Sequence, residues 1–145
     1  MRSRAIPFVV HTYEHHEKGA ELAAAALGIP LERFAKSLVV EAGGDPVFAL
    51  VAGHHELSLK KLARAHGAAR AAMADPKDAE RLTGYLVGGI SPFGARRALP
   101  TYLDESLLAF EQVAINAGQR GVILEVEPAA LAAFLGAIAT DLAAP

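Results

Sequence analysis

The run Gly88-Gly89-Ile90-Ser91-Pro92-Phe93-Gly94 is the stretch of this sequence best suited to chemistry. Residues without a Cβ let backbone N–H groups approach a bound molecule closely, and such groups can hold the oxyanion that develops when a carbonyl is attacked. The run is too rich in glycine, and too broken by proline, for a regular element, so a plain turn between strands fits it as well. Lys36 is the second candidate. It stands at the start of an apolar, strand-like run, where a rigid element can aim its ammonium into a cleft. A lone lysine at such a place is as readily a solvated one.

The stronger signatures of catalysis are missing. Ser91 is followed by Pro92 rather than by the glycine of a nucleophile elbow, and there is no phosphate loop, dinucleotide fingerprint or HExxH pair. With no cysteine in the chain, disulfides, thiolate zinc sites and a cysteine nucleophile borne by the protein are all excluded. His11, His15 and His16, with the pair His54 and His55, raise a metal hypothesis. On a strand, however, residues four apart lie about 13 Å from one another, too far to share an ion. The histidines therefore read as solvated or hydrogen-bonded side chains, and neither metal nor cofactor is expected.

The elements that position these residues follow from pattern. Phe8 to Tyr13 alternates like a half-buried strand, and the alanine-rich run Gly19 to Leu27 favours a helix stopped by Gly28 and Pro30. Ser37 to Glu41 and Val47 to Ala52 form a hairpin across Gly43-Gly44-Asp45-Pro46. Ser58 caps a helix that Gly67 ends, and a short strand follows at Arg70 to Met73. Asp75-Pro76 opens a brief helix, Lys77 to Leu82, closed by Gly84. Tyr85 to Val87, Thr101 to Leu103, Val113 to Asn116 and Val122 to Val126 read as strands, and Pro128 to Leu135 as a last helix before Gly136. About seven short strands and several short helices in mixed order predict an α+β fold, a curved mixed sheet or partial barrel flanked by short helices.

At 145 residues, 52% of them hydrophobic, the chain is the size of one self-folding domain, and residues 1–145 are taken as one. No apolar run reaches the roughly 20 residues of a membrane-spanning helix, and no signal peptide is evident, so a soluble, cytoplasmic protein is expected. A net charge of −2 does not attract a long polyanion over the whole surface. Contact with nucleic acid would then be local, and Arg2, Arg4, Lys60, Lys61, Arg64, Arg70, Arg96 and Arg97 can supply a basic side, unless they are simply scattered solubilising charge.

The run Gly84 to Gly94 closely resembles the YbaK family of tRNA-editing proteins, Cys-tRNA(Pro) deacylases related to the editing domain of bacterial prolyl-tRNA synthetase. His11 to His15, Lys36 to Val40, Leu57 to Ala63, Met73 to Pro76 and Leu99 to Thr101 resemble further family segments, in the family's order. The resemblance implies a cleft that receives the aminoacylated CCA end of a tRNA, with prolyl-tRNA synthetase as an associated partner. It places the essential lysine on Lys36, the glycine loop on Gly88 and Gly89, and substrate contacts on Tyr13, Ile90, Ser91, Pro92, Phe93, Gly94, Asn116 and Gly118. The chain departs from the family pattern at Lys18, Asn116 and Ile123, all on the presumed cleft wall, which leaves open the amino acid removed. A catalytically silent module holding an aminoacylated end, or a small ligand, is the alternative from the binding class.

Overall fold

The centre of the sheet is a hairpin made by two apolar strands and a pair of glycines. β1 (Phe8–Thr12) is followed by a 3₁₀ turn at Leu31–Arg33, which leads into β2 (Phe34–Ala42) and β3 (Asp45–Ala52). Ala42 pairs with Asp45, so the loop is only Gly43 and Gly44, with φ of 59° and 90°. Two consecutive positive φ values match the twist of the flanking strands and are open to glycine at little steric cost. The turn is therefore two residues shorter than the sequence suggests, and Asp45 and Pro46 already belong to β3. The computed structural model describes residues 8–12, 27–84, 99–116 and 122–145.

The remaining elements are α1 (Leu59–His66), β4 (Ala71–Met73), α2 (Pro76–Thr83), β5 (Thr101–Asp104), β6 (Val113–Asn116), β7 (Val122–Val126), α3 (Pro128–Leu135) and β8 (Ile138–Thr140). A second 3₁₀ turn covers Glu105–Ala109. All eight described strands join one sheet in the order β1-β7-β6-β2-β3-β5-β8, with β4 added beside β2. Pairs β2/β6, β3/β5 and β5/β8 are parallel and the others antiparallel, which confirms the mixed α+β sheet with short flanking helices. Among the described residues no helix is long and apolar enough to cross a membrane.

The capping residues do what their chemistry requires. Ser58 Oγ accepts from the Lys61 N–H at 3.1 Å, and Asp75 accepts from the Lys77 N–H at 2.9 Å with Pro76 opening α2. Both helices end on a left-handed glycine, Gly67 and Gly84.

Pleating divides the core between the two faces of the sheet. On one face Val40, Ala42, Val47, Ala49, Val51 and Tyr102 pack beneath Leu62 of α1 and Leu142. Farther along that face Phe34, Ala114 and Ile123 pack with Ile29. The opposite face is covered by Leu131 of α3, by Leu107, and by Ala79 and Leu82 of α2. β3 has Val47–Ala52 fully buried because helices cover it on both sides.

Candidate active site

Lys36 lies in the gap between the two apolar clusters of the α1 face. Its neighbours on that face of β2 are Phe34, which belongs to the Ile29 cluster, and Leu38, which packs against the cluster beneath α1. The strand begins at Phe34, so Lys36 is its third residue rather than a residue at its start. It is held by ladder bonds on a rigid element. Its side chain is half-buried, and its Nζ donates to the carbonyl of His55 at 2.7 Å. An ammonium has three donors, and among the described residues this carbonyl is its one partner.

The register sets the neighbours of Lys36. Lys36 pairs with Val51 on β3, and the parallel register Phe34↔Ala114 and Ala35↔Ile115 makes Asn116 the next residue across on β6. Asn116 pairs with Ile123, which pairs with His11. One face therefore carries the row His11, Ile123, Asn116, Lys36 and Val51 across five adjacent strands. Extending that register by one residue sets Asn116, 80 positions away in the chain, across from Lys36 on the adjacent strand. Tyr13, the loop from Gly88 to Gly94 and Gly118 lie outside the described residues. Ile123 is fully buried with Phe34 and Ala114, so it is core beneath the site rather than cleft lining.

The carbonyl that holds Lys36 is placed by a tight turn at the end of β3. The Gly53 N–H donates to the carbonyls of Leu31 and Phe34 at 3.1 and 2.6 Å. A Cβ on Gly53 would stand 2.8 Å from Leu31 Cδ2 and 3.2 Å from each of those oxygens, so the backbone approach depends on glycine. His54 and His55 stack with ring centroids 3.8 Å apart, and His55 Nδ1 is buried with no hydrogen-bond partner among the described residues. On the other side of the turn the C-terminal segment clamps Glu56–Ser58: Ser58 N donates to Leu142 O at 2.7 Å and Ala144 N to Glu56 O at 2.8 Å. Gly53→Ala should cost about 1–2 kcal/mol of stability, because one small group is forced into packed backbone. It should also slow catalysis by displacing the His55 carbonyl, which urea unfolding and single-turnover rates would read separately.

A charged cluster marks the β1 end of the row. Glu125 accepts from Arg33 Nη1 at 2.5 Å and lies 2.8 Å from His11 Nε2, tying β1, β7 and the turn before β2 together. The Arg33 guanidinium first, and His11 second, hold the Glu125 carboxyl below the ordinary glutamate range. A carboxyl more acidic when folded contributes stability above its ordinary range and loses it as pH falls through the folded value. Acid unfolding of Glu125→Gln should accordingly show a shallower pH dependence in that acidic window than the wild type. Among the described residues no three histidine or acidic side chains converge to hold a metal ion.

Sequence reasoning missed the His55 carbonyl, the Gly53 approach, β8 and the C-terminal clamp. Only Gly53 left a signal, as a lone glycine after an apolar strand.

With this geometry in place, the relatives become informative. Residues 14–134 match the aminoacyl-tRNA editing domain family. The chain is 42% identical over 113 residues to the Enterococcus faecalis protein EbsC, assigned as a Cys-tRNA(Pro)/Cys-tRNA(Cys) deacylase, covering 77% of this chain and 69% of that protein. It is 34% identical over 125 residues to the multifunctional Ser/Thr-tRNA deacylase ProXp-y of Escherichia coli K12, covering 81% of this chain and 74% of the relative. A solved structure described as a trans-editing enzyme for prolyl-tRNA synthetase superposes with a TM-score of 0.87 at 32% identity, over 95% of this chain and 87% of that one. A family match over residues 14–134, with relatives 42% and 34% identical over most of the sequence, leads to one statement: the chain belongs to the aminoacyl-tRNA editing domain family.

Proposed function

We propose that this protein is a trans-editing aminoacyl-tRNA deacylase that hydrolyses the ester of a mischarged tRNA, with Cys-tRNA(Pro) as the substrate. The observation that carries this reading is Lys36, a half-buried ammonium fixed on a strand and tied, among the described residues, to one backbone carbonyl. The identity to a relative assigned to Cys-tRNA(Pro) deacylation supports the choice of substrate.

The scissile bond joins the amino acid's carbonyl carbon to an oxygen of the terminal ribose, and this ester is more reactive than an amide. Lys36 binds an oxygen of the substrate's phosphate, ribose or carbonyl with the donors that His55 leaves unused. It stays away from the amino acid's own ammonium, since like charges repel. The backbone N–H groups of Gly88 to Ile90 polarise the carbonyl, a role suited to consecutive glycines. The attacking group is not a protein side chain: either the cysteine thiol displaces the ribose oxygen to give a thiolactone that water then opens to free cysteine, or a water directed by a ribose hydroxyl attacks the carbonyl. In both, the nucleophile's proton passes to the departing ribose oxygen. Tyr13, Ser91, Pro92, Phe93, Gly94, Asn116 and Gly118 complete the pocket in this reading. Much of the rate then comes from holding reactants in place.

Size alone separates substrates differing by one methylene by about 1–3 kcal/mol, so sparing Pro-tRNA(Pro) calls for a second check. Association with prolyl-tRNA synthetase would supply it. In this reading the protein acts in the cytoplasm, where tRNA is charged and used, and residues 1–145 act as one editing domain. The test is a parallel assay on Cys-tRNA(Pro), Ala-tRNA(Pro) and Pro-tRNA(Pro). Rapid loss of cysteine with proline retained is expected, and equal hydrolysis of all three would contradict the assignment.

A further inference from the structure

The outer face of α1 carries positive charge where a helix disfavours it. Lys60 and Lys61 are its second and third residues, at the end where the dipole and unpaired N–H groups favour acidic side chains. α1 has no acidic residue in its first turn, whereas α2 follows the ordinary pattern with Asp78 early and Arg81 late. Lys61 is offset by Asp141 at 2.8 Å and by the carbonyl of Ala143 at 2.7 Å. Lys60 and Arg64 are exposed, and neither side chain bonds to another described residue. They are one turn apart and so share a face. The flanking acidic groups are exposed Glu56 and Asp141, and the latter is engaged by Lys61.

This face is near the site. α1 packs through Leu62 on the side of the sheet that bears Lys36. Its cap, Ser58, comes three residues after His55, whose carbonyl holds the Lys36 amine. Eight residues of helix extend the charge over about 12 Å from that point. On a chain of net charge −2, a local pair of unneutralised cations beside the site is what a polyanionic substrate would need.

We propose that Lys60 and Arg64 form the contact surface for the phosphate backbone of the RNA duplex adjoining the aminoacylated end, an inference that rests on the deacylase reading. The two side chains neutralise backbone phosphates and seat the stem so that its single-stranded terminus reaches Lys36. They take no part in the chemical step.

The test uses Lys60→Glu, Arg64→Glu and the double variant of the full chain. Substrates are a cysteinylated acceptor-stem minihelix and a cysteinylated CCA trinucleotide without the duplex. In the double variant the KM for the minihelix should rise roughly tenfold with kcat unchanged. The slope of log kcat/KM against log salt should become shallower by about one per lost contact. Trinucleotide hydrolysis should be the same in wild type and variants. Lys60→Glu should keep or raise the melting temperature, since it places an acid at the helix start, so weaker binding there would not reflect misfolding. An unchanged minihelix KM, with trinucleotide turnover intact, overturns the inference and leaves the deacylase reading standing. No turnover of either substrate by wild type overturns that reading and the inference with it. A defect seen only when prolyl-tRNA synthetase is added would assign the face to a protein partner, and would equally overturn it.

Discussion

Lys36→Ala is expected to lower kcat for Cys-tRNA(Pro) deacylation by roughly 10²- to 10³-fold, the effect of removing one preorganised charge-stabilising donor. The fold should persist. Lys36 sits between two apolar clusters, each of which keeps its own contacts when the side chain is cut back. Circular dichroism and urea unfolding should therefore show a folded chain. Lys36→Arg should rescue little, because a planar guanidinium cannot take the place of a compact ammonium bonded to the His55 carbonyl at 2.7 Å. A variant that unfolded in parallel with its loss of rate would mark Lys36 as structural instead.

Asp104→Ala should produce the largest loss of stability, about 3 kcal/mol, and shift the urea midpoint by roughly 2 M. Asp104 is 1% exposed, and its carboxylate accepts from Leu142 N at 2.7 Å and from Ser106 N at 3.3 Å, with the Ser106 hydroxyl bonded as well. Alanine would leave the buried Leu142 N–H and the part-buried Ser106 donors without this acceptor. Through Leu142 the damage should spread to the clamp on Glu56–Ser58, and so to the carbonyl that positions Lys36. Asp104→Asn, which retains an acceptor oxygen, should recover part of both stability and rate.

The elements were legible where local chemistry decides them. Ser58, Gly67, Asp75 and Pro76 bound their helices as their side chains require, and Val113–Asn116, Val122–Val126 and Pro128–Leu135 begin and end where the pattern places them. β8 was not legible. Its three residues, Ile138–Thr140, have no alternation to read, and it exists because β5 offers an edge in parallel register. The two 3₁₀ turns are likewise products of packing rather than of propensity. Within the candidate site, Lys36 and Asn116 are named by family resemblance alone, while their relative placement depends on the parallel pairing of β2 with β6, a contact across about 80 residues that periodicity does not encode. The partner of Lys36 is a main-chain oxygen, and no residue identity could announce it.

The most direct test is a count of product against protein. Purified chain mixed with a large excess of Cys-tRNA(Pro) should release many equivalents of cysteine per molecule and leave intact, uncharged tRNA, and the Lys36→Ala protein should release almost none. Retention of about one charged tRNA per chain with no free cysteine would contradict the account and make the protein a binding module.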